Sequence, residues 1–326
     1  METVEQSRKY VLVSPCRNEA DYMQRTLDSV IAQNETPALW VIVDDGSTDD
    51  TPVILADYAA RHKWIKVLTK PDRGHRAVGP GVIEAFYYGL DQTDWQNFDY
   101  LCKLDLDLDL PQEYFATLMA KMEAEPRIGS CSGKPYFRKG DRMVSEKCGD
   151  EMSVGMTKFY RRACFQDIGG FVREVMWDAI DCHKSRQLGW IACSWDTPEL
   201  RFEHLRPMGS SQKSILTGRI RHGFGQYYMG TNFWFFTASC LFRMAHPPYL
   251  IGGLASWWGY VRSVIKGEKQ QDDTELRKFI QAYQMRALRV GKSAATAEIV
   301  RRQTGVWNTR IPATEQTEEP AREALT

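Results

Sequence analysis

The sequence predicts an α/β fold in which helices cover both faces of a mostly parallel sheet. Short apolar segments alternate with segments of helical periodicity through the first half of the chain, and polar or glycine-rich residues follow each apolar segment. This alternation is typical of parallel sheets, whose strands are buried on both faces. With 326 residues and an apolar content of 43%, the chain is long enough for one large domain or two coupled domains.

Four short apolar runs are the predicted strands, at residues 10–14, 39–43, 64–69 and 100–104. Apolar residues at helical spacing follow the first run: Met23, Leu27, Val30 and Ile31. This spacing predicts a helix before the second strand. Thr51 and Pro52 predict the start of another helix, as an N-cap followed by a proline in the first turn. Residues 82–90 predict a third helix that packs on the sheet.

The character of the sequence changes near residue 206, where the alternation ends. Two aromatic-rich stretches at residues 231–242 and 249–261 are both shorter than the ~20 residues that a membrane-spanning helix needs. We interpret them as the core of a helical extension, as a peripheral membrane surface or as a contact between copies of the chain. The predicted organisation is a sheet domain at residues 1–205, a helical region at 206–292 and a flexible tail at 293–326.

Charge and cysteine usage disfavour several classes of protein. Lys and Arg number 42, as do Asp and Glu. A net charge of zero disfavours a general nucleic-acid binder, which needs cations to displace the counterions of phosphates. The eight cysteines include no C-x-x-C pair, so a zinc ribbon is not expected. The first residues form no apolar signal segment, and we expect a cytoplasmic protein with reduced thiols.

Three aspartates alternate with leucines just after the fourth predicted strand, at Asp105, Asp107 and Asp109. In an extended chain alternate side chains share one face and lie ~6.6 Å apart. Carboxylates at that distance repel by about 2.5 kcal/mol at an effective dielectric near 20. The pattern therefore predicts either a solvated strand end or a bound hard cation such as Mg²⁺ or Mn²⁺.

A second acidic pair, Asp44 and Asp45, follows the second predicted strand. The carboxyl ends of parallel strands meet at one edge of the sheet, and ligands of such sheets bind there. We therefore expect both acidic clusters to face one crevice. A turn with helix capping is the alternative interpretation of residues 44–51.

Three segments, V-S-P-C-R-N-E, V-D-D-G-S-T-D-D-T and L-D-L-D-L, begin at residues 13, 43 and 104. Their order and spacing resemble the GT-A domain of family 2 glycosyltransferases over residues 10–205. The resemblance implies a sheet that binds a nucleotide-diphosphate sugar, such as a UDP- or GDP-sugar. It places this donor on the following residues: Pro15, Arg17, Glu19, Asp44, Asp45, Arg73, Arg76 and Asp105.

The resemblance also implies a divalent metal ion. Asp105 and Asp107 match the D-x-D pair of the family, whose Mn²⁺ or Mg²⁺ bridges the diphosphate. Some relatives place a further metal ligand at the position of His204, for which a structural histidine is the alternative. Asp109 has no counterpart in the motif, and its role stays open.

The general base of the family stands at the start of a helix, where Asp178 matches it. Trp177 occupies the position at which the family usually has Glu, and Asp181 is the alternative base one turn later. The chemistry needs a carboxylate that is ionised near neutral pH and lies within hydrogen-bond reach of the acceptor hydroxyl. The family generally inverts the anomeric carbon in one displacement.

Residues 218–230 and the aromatic segments after them resemble enzymes that build bacterial exopolysaccharide or O-antigen units. This likeness implies a polyprenyl-diphosphate-linked saccharide as acceptor. It also implies a peripheral location on the inner face of the cell membrane, with residues 231–261 in contact. The Q-x-x-R-W motif of processive synthases is missing from the sequence, which favours transfer of a single sugar.

Three other functions are alternatives for this sequence. A catalytically inactive binding module with the same fold is one alternative, because Trp177 departs from the family pattern. A sugar-nucleotidyltransferase is another, but it would carry a glycine-rich, basic turn where S-P-C-R-N-E-A stands. A dehydrogenase would need G-x-G-x-x-G after the first strand, and that motif is missing there.

Overall fold

Strands and helices alternate through the first half of the chain in the computed structural model, which describes residues 8–71, 79–206, 215–246 and 248–309. The strands are β1 (Tyr10–Cys16), β2 (Leu39–Asp44), β3 (Ile65–Thr69), β4 (Tyr100–Leu104), β5 (Leu108–Asp109), β6 (Ile128–Ser132), β7 (Lys134–Lys139), β8 (Arg142–Ser145), β9 (Thr157–Arg161), β10 (Ile191–Ser194) and β11 (Arg201–His204). The helices are α1 (Met23–Ile31), α2 (Thr51–Arg61), α3 (Pro80–Leu90), α4 (Tyr114–Ala124), α5 (Arg162–Ile168), α6 (Trp177–Gln187), α7 (Ile215–Met229), α8 (Phe233–Met244), α9 (Ile251–Lys266), α10 (Thr274–Val290), α11 (Lys292–Arg302) and α12 (Thr304–Asn308).

Within these residues the larger sheet has seven strands in the order β10-β6-β9-β4-β1-β2-β3. The strands β4, β1, β2 and β3 run parallel, while β9 is antiparallel to β4 and β6. Cys16 lies opposite Asp44, and Asp44 lies opposite Thr69. The carboxyl ends of β1, β2 and β3 therefore meet at one edge. The predicted α/β class with a mostly parallel sheet is confirmed.

Both faces of the larger sheet are covered, which explains why its strands read as continuous apolar runs. Successive residues of β1 enter opposite cores, because side chains alternate across a strand. Tyr10 and Leu12 pack with residues of α1, α2 and α4, whereas Val11 and Val13 pack with residues of α3 and α5. All four side chains are fully buried.

The acidic segment after β4 links two sheets. Leu104 ends β4 in the larger sheet, and Leu108 begins β5 in a four-stranded sheet of order β5-β11-β7-β8. Leu108 pairs with His204 of β11. The alternation of the motif is retained, since its leucines at 104, 106, 108 and 110 are all buried. One continuous extended strand over residues 103–111 is not formed, because the chain leaves the first sheet before it joins the second.

The C-terminal part is helical, as expected, and its first helices approach each other closely. A Cβ atom added at Gly223 of α7 would lie 2.0 Å from the carbonyl oxygen of Ser256, and one at Gly259 of α9 would lie 2.1 Å from that of Ile220. Glycine is therefore required at both contacts, because a real Cβ would clash with the backbone. None of the helices in the described part of the chain has the length and apolar character needed to cross a bilayer.

The first part of the segment expected to be a flexible tail, residues 293–326, is helical. Residues 292–308 form α11 and α12, which pack on the sheet domain. The ring of Trp307 lies 4.6 Å from that of Trp190, and Arg127 donates hydrogen bonds to the carbonyl oxygen of Val300 and the hydroxyl of Thr304. The aromatic contact and these hydrogen bonds anchor the segment. Residues 310–326 lie outside the described part of the chain.

Candidate active site

The loops after β1 and β2 are bonded to each other at the carboxyl edge of the sheet. Arg17 donates a 2.6 Å hydrogen bond to the carbonyl oxygen of Asp45, whose own N–H donates to that of Cys16 at 2.9 Å. Asp44 accepts a 2.9 Å bond from the N–H of Ser47, which turns the chain toward α2. The amine of Lys70, just after β3, lies 3.5 Å from the Asp45 carboxylate. Three strand ends thus meet here.

Arg206 joins the first sequence motif to the third. Its Nη2 atom lies 3.0 Å from the carboxylate of Glu19 and 2.8 Å from Oδ2 of Asp107. The N–H of Leu205 donates to the carbonyl oxygen of Asp107 at 2.8 Å, which holds Arg206 beside that carboxylate. Both acids are buried, with 5% of Glu19 and 6% of Asp107 exposed. Residues that are remote in sequence therefore share one guanidinium group.

His204 lies between two buried carboxylates. Its Nδ1 atom is 2.8 Å from Oε2 of Glu146, and its Nε2 atom is 3.6 Å from Oδ2 of Asp107. Burial lowers the pKa of His204, but the two carboxylates outweigh burial and raise that pKa to about 9. Burial likewise raises the pKa of Asp107, but His204 and Arg206 outweigh it, so the pKa lies below its usual value. Asp107 is therefore a carboxylate at neutral pH.

Asp105 faces a different cation. Its carboxylate pairs with the amine of Lys103, and its N–H donates to the carbonyl oxygen of Met156 at 2.8 Å. Burial raises the pKa of Asp105, against the charge of Lys103. Lys103 also donates a 3.0 Å hydrogen bond to the carbonyl oxygen of Gly155 and lies 5.3 Å from the ring centre of Trp177. This lysine thus connects the acidic motif with the start of α6.

The side chains at this site offer the kinds of atom that bind a hard divalent cation. Oδ1 of Asp107 is buried and has no hydrogen-bond partner in the described structure, which leaves one lone-pair-bearing oxygen for a ligand. Carboxylate oxygens and an imidazole suit Mn²⁺, and carboxylate oxygens suit Mg²⁺. Across the residues that the structure describes, no three His, Cys, Asp or Glu side chains stand together as a ready-made metal site. Arg206 and His204 instead neutralise Asp107.

The two candidate bases have different surroundings. Asp178 lies in the first turn of α6, and a Cβ atom added at Gly155 would be 2.9 Å from its Oδ2. The same Gly155 accepts the hydrogen bond of Lys103, so Asp178 and Asp105 lie near one backbone segment. Asp181 is only 2% exposed and pairs with Lys158 and Tyr160. That enclosure leaves almost none of the Asp181 side chain accessible to solvent.

The remaining predicted site residues are spread more widely. Pro15 is half-buried in β1, opposite Val43. Asp109 pairs with Arg25, and Arg25 also lies 2.9 Å from Glu203. Asp109 therefore belongs to a group of ion pairs on the smaller sheet. The predicted phosphate contacts Arg73 and Arg76 lie outside the described residues.

Sequence reasoning missed three residues that contact the predicted site. Glu146 bonds to His204 from a position 58 residues earlier, and no motif marks it. Lys103 directly precedes the acidic motif, where a strand-end cation beside three carboxylates was an available signal. Arg206 belongs to none of the three motifs. Its contact with Glu19 spans 187 residues.

The chain matches the family model described as glycosyl transferase family 2 over residues 11–172. A poly-beta-1,6-N-acetyl-D-glucosamine synthase of Staphylococcus epidermidis is 27% identical over 132 residues, which cover 40% of this chain and 29% of that protein. A synthase of the same name from Staphylococcus aureus is 25% identical over the same shares. The chain thus aligns with less than a third of the length of these relatives.

A solved structure has a similar fold. The crystal structure of GalNAc-T7 with UDP, GalNAc and Mn²⁺ superimposes with a TM-score of 0.52 at 16% identity, over 82% of this chain and 55% of that chain. The residues matched by the family model include the strand ends at which the two loops and the acidic motif meet. From the family match, the order of the motifs and the sheet topology, we conclude that residues 11–172 are a glycosyl transferase family 2 domain and that the chain has the GT-A fold.

Proposed function

We propose that the protein transfers one sugar from a nucleotide-diphosphate sugar to an acceptor hydroxyl. The observation that carries this proposal is the Arg206 guanidinium, which holds Glu19 and Asp107 together at the carboxyl edge of the sheet. Ligands of open α/β sheets bind at this edge. Family membership over residues 11–172 points to the same reaction class.

The donor would lie across the strand ends. Arg17, Glu19, Asp44 and Asp45 surround the place expected for the base and ribose, with Pro15 at the end of β1 and Arg73 and Arg76 as candidate phosphate contacts. Supporting this placement, the loops that carry Arg17 and Asp45 are bonded at 2.6 Å. The GalNAc-T7 structure of similar fold contains UDP, and a UDP- or GDP-sugar is therefore the donor class to test.

Asp105 and Asp107, with His204, would hold Mn²⁺ or Mg²⁺. A bound metal ion would supply positive charge to the departing diphosphate. Arg206 is paired with Asp107 at 2.8 Å. If a metal ion took up that carboxylate, the guanidinium would be available to a diphosphate. Glu146 accepts from Nδ1 of His204 and so directs Nε2 toward Asp107. Such outer partners orient metal-binding histidines.

Asp178 would act as the general base. Its carboxylate takes the proton of the acceptor hydroxyl as the hydroxyl oxygen bonds to the anomeric carbon, and the bond from that carbon to the diphosphate breaks. This single displacement inverts the anomeric centre. Asp181 is less suited to the role, because Lys158 and Tyr160 occupy its oxygens.

The acceptor proposed is a polyprenyl-diphosphate-linked saccharide of a polysaccharide pathway. The Staphylococcus relatives are named as synthases of a polysaccharide. Residues 231–261 would contact the inner face of the membrane, where exposed aromatic and aliphatic side chains are concentrated: Phe233, Trp234, Leu241, Phe242, Tyr249, Leu250, Ile251, Leu254 and Trp258.

Release of the nucleoside diphosphate tests the reaction. We expect the protein to release UDP or GDP from one member of a nucleotide-sugar panel in Mn²⁺ and to lose this activity in EDTA. Asp178→Asn should bind the donor normally and lower turnover by at least ~100-fold. A near-normal rate would exclude Asp178 as the base. No release from any donor would favour the inactive binding module, and pyrophosphate release from a nucleoside triphosphate and a sugar phosphate would favour a nucleotidyltransferase.

Two variants of the same acidic motif test whether Asp107 is a metal ligand. Asp107→Asn should weaken UDP binding in Mn²⁺ by at least ~10–100-fold, the loss that removal of even an outer partner of a metal ligand causes. Asp109→Asn removes the neighbouring carboxylate, which pairs with Arg25, and should leave UDP binding unchanged. Calorimetric titration measures both. Equal UDP affinity in the wild type and Asp107→Asn would reject Asp107 as a metal ligand.

A further inference from the structure

The turn between α8 and α9 carries a cationic pocket. The pocket is lined by Arg219, Arg243, His246, Pro248 and Gly252. Arg219 comes from α7, whereas the other four residues belong to the end of α8, the turn and the start of α9. The two guanidinium groups lie close enough for the charge of Arg219 to lower the pKa of Arg243, in addition to desolvation. Two like charges therefore face one cavity.

No acidic residue of the surrounding segment compensates these charges. Although Asp and Glu number 42 in the chain, none lies between Glu203 and Glu268. The same segment contains seven cations: Arg206, Lys213, Arg219, Arg221, Arg243, Arg262 and Lys266. In the described part of the chain, Arg219 and Arg243 form no ion pair with a carboxylate. Among the described residues the pocket thus has no counter-ion, and it suits an external anion.

Exposed apolar side chains surround the pocket. Tyr249, Leu250 and Ile251 are 64%, 61% and 56% exposed, and they lie between the lining residues Pro248 and Gly252. The ring of Phe242, which is 70% exposed, lies 4.7 Å from the lining residue His246. We call Phe242 and residues 249–251 the apolar rim. An anion that enters this pocket therefore meets hydrocarbon around a positive centre.

The backbone at the rim is strained without any gain in burial. Leu250 has a φ of +58°, in a region that favours glycine and costs other residues about 1–3 kcal/mol. Its side chain is largely exposed, so packing within the chain does not compensate this cost. The strained turn presents Leu250 outward.

We propose that the apolar rim inserts into the headgroup layer of a membrane and that Arg219 and Arg243 bind the phosphate of an anionic phospholipid. Apolar side chains combined with cations are the features that hold peripheral proteins on anionic bilayers. A second copy of the chain is a less suitable partner for this surface. A two-fold dimer contact would place the same patch of both copies face to face, and this would bring four arginines together. The inference deepens the membrane contact proposed above and is independent of sugar transfer.

Vesicle flotation of the full chain, without donor or metal, tests the site. We expect binding to phosphatidylcholine vesicles that contain phosphatidylglycerol and little binding to phosphatidylcholine alone. Each cation near an anionic surface strengthens membrane binding by about fivefold. R219Q/R243Q removes two such cations and should therefore weaken vesicle binding by at least ~10-fold. The matched control R262Q/K266Q removes two exposed cations of the same segment and should weaken binding by less than ~5-fold. Leu250→Gly should also weaken binding while the unfolding temperature is maintained or raised, because it relieves the strained φ.

Four outcomes would overturn the proposal. Absence of vesicle binding rejects the membrane contact, and equal losses in the two double variants reject a specific pocket in favour of diffuse attraction. If inorganic phosphate, at a concentration equal to that of the lipid phosphate, displaces the protein from the vesicles, the pocket is a site for free anions instead. A dimer by light scattering that Leu250→Gly dissociates, without vesicle binding, identifies the rim as a contact between copies. Since donor and metal are absent from the assay, this inference and the transferase reaction fail independently.

Discussion

Arg206 shows how a single residue organises the candidate site. Its guanidinium contacts Glu19 and Asp107, two buried carboxylates that come from different motifs. Without a cation, two such groups would repel each other in a region of low water content. The arginine therefore has a structural role in the free protein, and a divalent metal ion would be able to replace part of that role.

Arg206→Gln should lower the free energy of unfolding by about 1.5–3 kcal/mol, the usual range for hydrogen bonds to charged groups. Mn²⁺ should recover part of the loss, because it neutralises Asp107. Urea unfolding with and without Mn²⁺ measures both effects.

Arg25→Gln is the matched control for that experiment. Its guanidinium pairs with Asp109 and Glu203 but is 51% exposed, so the expected loss is at most about 1 kcal/mol and independent of Mn²⁺. If Mn²⁺ gives Arg206→Gln no more stability than it gives Arg25→Gln, the carboxylates beside Arg206 do not take up the metal.

At the scale of elements, a buried ion pair anchors α6 to β9. The side chain of Lys158 in β9 is 0% exposed and pairs with that of Asp181 in α6, which is 1% exposed and also accepts a hydrogen bond from Tyr160. Lys158 donates a further bond to the carbonyl oxygen of Asp178 at 2.6 Å. The ion pair therefore sets the position of the turn that carries the proposed base.

Lys158→Met should destabilise the protein by about 3–5 kcal/mol, since it leaves the Asp181 carboxylate buried without its cation. Replacing both partners, as Lys158→Met with Asp181→Leu, should recover most of the loss because no charge is then left buried. Denaturant unfolding of the two variants makes the comparison. A double variant that is no more stable than the single one would show that packing, rather than charge, sets the cost.

For the whole molecule, His183 links the sheet domain with the C-terminal helices. It lies on α6, is 5% exposed, and packs against Tyr283 of α10 with ring centres 5.3 Å apart. Burial, with the nearby charges of Arg186 and Lys292, lowers its pKa to about 3. The folded protein therefore keeps a neutral imidazole at this contact through the mildly acidic range.

The sign of the pH effect follows from proton binding. Below about pH 6.5 the unfolded chain protonates this histidine and the folded chain does not, so stability falls as pH decreases from 6.5 toward 3. Between pH 7 and 5 the expected loss from His183 is about 2 kcal/mol. Urea unfolding at both pH values should show a smaller difference for His183→Gln than for the wild type. An equal difference would mean that His183 also titrates normally in the folded state.

The sequence by itself determined the fold class and the order of the elements. The predicted strands at residues 10–14, 39–43, 64–69 and 100–104 correspond to β1–β4, with ends that differ by at most two residues. The helix predicted from Thr51 and Pro52 is α2, but its N-cap is Asp50 and Thr51 is already its first helical residue. These features depend on periodicity and on turn or capping residues a few positions apart. Such interactions are local, so they can be recognised before the chain is folded.

Only the tertiary structure decided how the motifs combine. It placed Arg206 between Glu19 and Asp107, directed His204 toward Glu146, and enclosed Asp181 with Lys158. These pairs are separated by between 23 and 187 residues, and no periodic pattern relates their members. Their contacts arise because two sheets and a helix pack at one edge, and packing geometry depends on the whole chain rather than on any local segment.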